Sequence, residues 1–96
     1  MTKLYLFVMD ECRPCYMVKQ QLFRVEGWEK YVTLVTVTED NKESIHKEHN
    51  IVQTPTLLGV KPDGEKMKFS APSKMTKSFW EKLFTKINEE LCQSKE

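Results

Sequence analysis

The sequence predicts a single α/β domain with the element order β-α-β-α-β-β-α, in which a four-stranded mixed sheet is flanked by three helices. An apolar run at residues 4–9 and a β-branched run at residues 31–38 are typical of strands, and the segment between them has a helical period. Near the end of the chain, apolar residues recur at helical spacing from Trp80 to Leu91. The chain has 96 residues, which suffices for one modest core but not for two domains.

The first half of the chain predicts a β-α-β unit. Residues 3–9 are almost continuously apolar, which favours a central strand buried on both faces. Apolar residues at helical spacing predict a first helix over residues 13–26, and Gly27 follows where a helix would stop. A right-handed crossover then places a second strand, residues 31–38, parallel to the first. Residues that follow the first strand therefore lie at the carboxyl end of the sheet, where open α/β sheets carry their sites.

A short helix and a β-hairpin are predicted next. Asp40, followed three residues later by Glu43, is typical of a helix start and predicts a mostly solvated helix over residues 42–49. An apolar run predicts a third strand at residues 57–60. The turn sequence Lys61-Pro62-Asp63-Gly64 predicts that residues 65–69 return as an antiparallel fourth strand.

A loop around Pro72 leads to the last helix, which is predicted to open at Thr76. Its apolar stripe, which should face the sheet, comprises Trp80, Leu83, Phe84, Ile87 and Leu91. We expect one domain over residues 1–92 and a tail over residues 93–96.

Composition and charge exclude several classes of function. The 15 basic and 14 acidic residues are interspersed and give a net charge of +1, so we expect no nucleic-acid partner. No stretch approaches the roughly 20 apolar residues of a membrane span, and no secretory leader is evident. We therefore expect no membrane partner and a cytoplasmic location, which would be the host cytoplasm for a viral protein. Three cysteines favour a redox or metal pair plus one spare thiol, Cys92.

The stretch Cys12-Arg13-Pro14-Cys15 lies at the predicted junction of the first strand and the first helix. Helix N-termini carry partial positive charge and unpaired N–H groups, which lower the pKa of a thiol placed there. Cys12 falls at the exposed cap position and is the predicted nucleophile, whereas Cys15 falls under the helix as the resolving thiol. Pro14 is tolerated in a first turn, and Arg13 adds a cation. The stretch predicts a catalytic pair that closes a Cys12–Cys15 disulfide.

A second motif, Thr54-Pro55, lies directly before the third strand. With the Cys-x-x-Cys at a strand-to-helix junction and the order of elements, it makes the whole chain resemble the thioredoxin superfamily. The short length is similar to that of glutaredoxins and small bacteriophage thioredoxins, which implies a thioredoxin-like, glutaredoxin-size fold. The resemblance also implies that Pro55 is cis and packs beside the disulfide, and that Thr54 presents backbone groups to a substrate segment.

The activity that the resemblance implies is that of a thiol–disulfide oxidoreductase with no bound cofactor. Pro14 and the Pro62-Asp63-Gly64 turn resemble thioredoxins. A glutathione-dependent glutaredoxin is the alternative, but the loop Ser70-Ala71-Pro72-Ser73 lacks the Gly-Gly pair and acidic residue that hold glutathione in such proteins. The implied partners are oxidised proteins such as ribonucleotide reductase, and the electrons would come from NADPH through thioredoxin reductase or from glutathione. We expect a monomer.

Two positions depart from the thioredoxin pattern. Thioredoxins place an aromatic residue directly before the first cysteine and a buried aspartate six residues before it, where this chain has Glu11 and Leu6. The resemblance therefore does not extend to proton transfer at Cys15.

A metal site is the other class of function that the sequence offers. The pair Cys12-x-x-Cys15 and the pair His46-x-x-His49 together contain the ligand types of a structural zinc site. Common sites have about 3 to 5 residues between the histidines, more than are present here, and a full helix and strand separate the two pairs. A third interpretation is an iron–sulfur carrier with one cysteine from each of two subunits, against which the missing glutathione loop argues. We expect no bound metal.

Overall fold

The computed structural model describes the backbone of residues 2–94 and the side chains of residues 2–90. Within this range one sheet contains four strands, β1 (Lys3–Val8), β2 (Val32–Thr36), β3 (Thr56–Val60) and β4 (Lys66–Phe69). The helices of the same range are α1 (Arg13–Phe23), α2 (Lys42–His49) and α3 (Lys77–Ser94), with single 3-10 turns at Trp28–Lys30 and Pro72–Lys74. The predicted fold class, a four-stranded mixed sheet with three helices, is confirmed.

The strand order β2-β1-β3-β4 places β1 at the centre of the sheet. β1 runs parallel to β2, with Leu4 opposite Val32, and antiparallel to β3, with Phe7 opposite Thr56. β4 returns antiparallel to β3 through a turn in which Gly64 has a φ of 92°, a conformation that favours glycine. The two predicted orientations, β2 parallel to β1 and β4 antiparallel to β3, are confirmed. The carboxyl end of β1 meets the start of β3.

Alternation along the strands divides the core between the two faces of the sheet. The face under α1 and α3 carries the larger cluster of buried side chains: Leu4, Leu6, Val8, Cys15, Val18, Leu22, Val25, Val32, Leu57, Met75, Trp80, Phe84 and Ile87. The face under α2 carries a smaller cluster of Phe7, Ile51 and Leu58, with Ile45 of α2 half-buried against it. None of the eight residues of α2 is fully buried, as predicted for a mostly solvated helix.

The first helix ends three residues before its predicted limit at Glu26. The N–H groups of Arg24 and Val25 donate to the carbonyls of Gln21 and Leu22 at 3.3 and 3.0 Å, so the last turn tightens to i→i−3 bonds. Gly27, with a φ of 81°, still marks the turn that follows.

The second strand is also shorter than predicted, because within residues 2–94 β2 pairs only with β1. Its register ends at Thr36 opposite Val8, the last residue of β1. At the start of α2 the predicted cap, Asp40, is wrong: Asn41 is the cap residue, and its Oδ1 accepts from the Thr38 N–H at 2.7 Å.

The last helix begins as predicted. Thr76 Oγ1 accepts from the Phe79 N–H at 3.4 Å, and the Trp80 N–H donates to the Thr76 carbonyl at 3.1 Å. The helix runs past residue 92 to Ser94. The Leu91 and Cys92 side chains lie outside the described part of the chain. Among residues 2–94, no helix combines the length and apolar character that crossing a membrane requires.

Candidate active site

The chain reverses from β1 into α1 over residues 9–12, and this reversal places Cys12 at the helix start. Glu11 has a φ of 55°, the left-handed region that a non-glycine residue adopts at some cost. Cys12 follows in an extended conformation, with φ −113° and ψ 105°, and is the N-cap of α1. The Tyr16 N–H donates to the Cys12 carbonyl at 3.0 Å and closes the first helical turn.

The Cys12 sulfur takes the place of the side-chain oxygen that usually caps a helix. It accepts from the Cys15 backbone N–H at 3.2 Å, as a serine or threonine oxygen does at this position. When Cys12 is a thiolate, the same bond becomes charge-assisted, and the partial positive charge of the helix N-terminus adds to it. The first turn of α1 contains no acidic residue that would oppose this effect.

Cys12 and Cys15 form a disulfide, with their Cα atoms 5.2 Å apart. Cys12 is half-buried, whereas Cys15 has 0% of its surface exposed and belongs to the core under α1 and α3. These are the positions that the sequence predicts for the two thiols. A second molecule can therefore contact Cys12 but not Cys15.

The segment before β3 forms the wall opposite the disulfide. Thr54 Oγ1 lies 3.9 Å from Cys12 Sγ, and Pro55 is fully buried next to it. The Thr54–Pro55 peptide bond is cis. Arg13 and Pro14, the other two motif residues, are exposed on the first turn of α1. The structure thus brings all six predicted site residues to one end of the sheet.

Two side-chain hydroxyls that were not expected from the sequence hold this wall in place. Thr56 Oγ1 donates to the Gln53 carbonyl at 2.6 Å, and Ser70 Oγ donates to the Pro55 carbonyl at 2.7 Å. The register of the hairpin is the feature that indicates Ser70. Leu57 lies opposite Phe69, so the residue after Phe69 lies beside the start of β3. We therefore describe Ser70 and Thr56 as residues that position Pro55.

Two open spaces lie near this end of the sheet, and one of them borders Cys12. A hollow of about 420 Å³ beside Cys12 is bordered by Arg13, Tyr16 and Lys19. A larger groove of about 740 Å³ runs from Thr54 along α2, with apolar walls from Met9, Val37, Ile51 and Val52. Neither space is enclosed, which suits an extended segment of another molecule.

The two positions that depart from the thioredoxin pattern lie in contrasting surroundings. Leu6 is fully buried in the same core cluster as Cys15, while Glu11 is exposed. An apolar side chain thus stands where thioredoxins bury their aspartate.

The two histidines lie on α2. His46 is exposed along the 740 Å³ groove, and the His49 ring packs on Phe7 with 5.7 Å between ring centroids. Among residues 2–90, whose side chains the structure describes, no three His, Cys, Asp or Glu residues form a group that could hold a metal ion. The absence of bound zinc stays a prediction.

No protein-family model matches the sequence, and no curated protein does. Solved structures do match. Mitochondrial thioredoxin 3 from Saccharomyces cerevisiae, in its oxidised form, is 25% identical over 75% of this chain and 70% of its own, with a TM-score of 0.55. Thioredoxin from Malassezia sympodialis is 24% identical over 77% of this chain and 68% of its own, with a TM-score of 0.55.

A disulphide isomerase from Xylella fastidiosa matches over 86% of this chain and 78% of its own, with 17% identity and a TM-score of 0.60. These proteins share the arrangement of strands and helices described above. The chain therefore has the fold of the thioredoxin superfamily.

Proposed function

We propose that the protein is a thiol–disulfide oxidoreductase that reduces disulfides of other proteins through Cys12 and Cys15. The observation that carries this proposal is the asymmetry of the pair. Cys12 is half-buried and its sulfur accepts a backbone N–H at a helix start, whereas Cys15 is fully buried in the core. The thioredoxin fold supports the same class of activity.

The reaction proceeds in two exchanges. The Cys12 thiolate attacks one sulfur of the target disulfide, a mixed disulfide forms, and the other target sulfur leaves as a thiolate. Cys15, after losing its proton, attacks Cys12 Sγ, so the second target thiol is released and the Cys12–Cys15 disulfide closes. Because Cys15 is held in the same turn, its effective concentration is high and no second collision is needed. An external donor then supplies two electrons and two protons.

Several exposed apolar side chains around the disulfide favour a protein as the target. Tyr16 and Val52 are 60% and 74% exposed, and the groove that starts at Thr54 has apolar walls. Thr54 and Pro55 form the docking wall in this proposal, and Arg13 and Pro14 shape the first helical turn. Ribonucleotide reductase is the physiological target that we propose, following the resemblance to bacteriophage thioredoxins.

A trapping experiment tests this proposal. The variant Cys15→Ser, incubated with a disulfide-bonded reporter protein, should accumulate a one-to-one adduct that dithiothreitol releases. Cys12→Ser is the matched control and should form none. An adduct that forms with Cys12→Ser, or its absence with both variants, would contradict the proposed roles.

The electron donor is tested separately. NADPH with thioredoxin reductase should support repeated reduction of the reporter, whereas glutathione with glutathione reductase should not. Activity with glutathione alone would favour the glutaredoxin alternative and leave the roles of Cys12 and Cys15 unchanged.

A further inference from the structure

The outer edge of the sheet at β4 has backbone groups with no strand beside them. Within residues 2–94, β4 pairs only with β3. The Lys61 N–H donates to the Glu65 carbonyl at 2.8 Å, so residues 65, 67 and 69 direct their backbone groups toward β3. The N–H and C=O groups of Lys66 and Lys68 therefore point outward, which is the geometry to which an extended peptide can add as a further strand.

Side chains on β4 alternate in chemistry between the two faces of the sheet. Lys66 and Lys68 lie on the face of α2, where the Lys68 Nζ donates to the Asn50 carbonyl at 3.1 Å. Within the described side chains neither lysine forms a salt bridge, whereas Lys61 pairs with Glu65 at 3.8 Å. The α2 face of the β4 edge thus carries two positive charges without carboxylate partners.

Met67 and Phe69 lie on the opposite face, that of α3. Met67 is 52% exposed, and the Phe69 ring stacks on Phe79 with 5.3 Å between centroids. A groove of about 440 Å³ between β4 and α3 adjoins them, and its apolar walls include Leu57, Leu83 and Ile87. Apolar side chains of an added strand would cover Met67 and reach this groove.

We propose that the β4 edge binds an extended segment of a partner protein in which acidic and apolar residues alternate. Residues opposite each other on adjacent strands place their side chains on the same face of a sheet. The acidic residues of the segment would therefore lie beside Lys66 and Lys68, and its apolar residues would lie beside Met67 and Phe69. The proposal rests on the charges and the outward-facing backbone groups of β4 and does not involve Cys12 or Cys15, so it does not depend on the proposed redox function.

A second copy of the chain fits this edge less well. Two β4 strands pairing antiparallel about a two-fold axis would set the lysines of one copy opposite those of the other. Like charges in direct cross-strand contact are destabilising. The charges therefore favour an acidic segment over self-association.

The test uses the 96-residue chain and two capped peptides, one of sequence Glu-Val-Glu-Leu-Glu-Val-Glu and the other with lysine in place of every glutamate. Amide chemical shifts of the protein, labelled with nitrogen-15, are followed as each peptide is added. The acidic peptide should shift the amides of Lys66–Phe69 to saturation. The variant Lys66→Glu/Lys68→Glu should bind the acidic peptide about tenfold more weakly and should now bind the basic one, because the cross-strand charge pairs change sign.

The control variant Arg24→Glu/Lys30→Glu makes the same change in net charge at exposed positions in the segment that leads into β2, at the opposite edge of the sheet from β4, and should bind as the unmodified protein does. Three results obtained with peptide would overturn the proposal. They are the absence of β4 shifts at millimolar peptide, shifts that fall around Cys12 instead, and equal effects of the control variant. β4 shifts that depend on protein concentration without peptide would overturn it in favour of self-association.

Discussion

The two faces of the sheet differ in the number of side chains that are buried on them. Under α1 and α3, the larger cluster buries Trp80 and Phe84 completely or almost so, and it includes Cys15. Under α2, three buried side chains form the whole described cluster, and α2 itself contributes only the half-buried Ile45 to its margin. The resolving thiol, Cys15, thus lies on the extensively packed face under α1 and α3. The groove that starts at Thr54 runs along the less packed face under α2.

This difference assigns separate tasks to the two faces. The α1 and α3 face fixes Cys15 relative to Cys12, because a close-packed core holds its side chains in single positions. The α2 face leaves Val52 and Thr54 open to a bound segment. Truncation of buried side chains of α1 and α3 should therefore cost much stability, whereas truncation of side chains of α2, none of which is fully buried, should cost little.

The largest effect is expected for Trp80→Ala. Trp80 is fully buried, and truncation of a buried tryptophan typically costs about 3 to 5 kcal/mol, a large part of the stability of a small domain. Urea unfolding followed by circular dichroism measures the loss. Trp80→Phe is the control and should cost much less, because it keeps a ring and removes an indole N–H that has no hydrogen-bond partner among the described side chains.

A smaller effect is expected for Ser70→Ala. It leaves the Pro55 carbonyl without its hydroxyl donor, which should cost about 1 to 2 kcal/mol of stability. The ratio kcat/KM for a protein disulfide should fall about fivefold, close to 1 kcal/mol, because the docking wall is less well held. Reduction of a small aromatic disulfide should not change, since it needs no docking wall. Ser70→Thr keeps the hydroxyl and should restore activity. An equal loss for both substrates would show that Ser70 does not act through the wall.

The smallest effect is expected for Ile45→Ala on α2. Ile45 is half-buried, and alanine has the higher helix propensity, so the net loss of stability should be only about 0.5 kcal/mol. The same urea experiment measures it. A loss of stability as large as that of Trp80→Ala would show that the two faces do not differ in this way.

Periodicity in the sequence was sufficient to predict the strands, the helices and their order. The apolar run that forms β1 and the Pro62-Asp63-Gly64 turn involve only residues that are neighbours in the chain. The structure they predict therefore does not depend on tertiary contacts. Cys12 and Cys15 could be placed because a cap position and a first turn are also local. The resemblance to the thioredoxin superfamily added Thr54 and Pro55 to the predicted site, although they lie 42 residues or more from Cys12 along the chain.

What the sequence did not predict depends on tertiary register. Ser70 reaches Pro55 only because β3 and β4 pair with Leu57 opposite Phe69. The early end of α1 comes from i→i−3 backbone hydrogen bonds to the carbonyls of Gln21 and Leu22. The spacing of apolar side chains in the sequence does not predict such bonds. Asn41 replaces Asp40 as the cap because its side chain bonds Thr38, which depends on where β2 ends.

The central claim is that Cys12 is the reactive thiol and Cys15 the sheltered one. The most direct measurement is the alkylation rate of each thiol by iodoacetamide at neutral pH, in the reduced protein with Cys92→Ser to remove the third thiol. Mass spectrometry of the digested protein separates the two sites. We expect Cys12 to react at least about tenfold faster, because it is only half-buried and its thiolate is stabilised at the helix start. Faster alkylation of Cys15 would contradict this expectation.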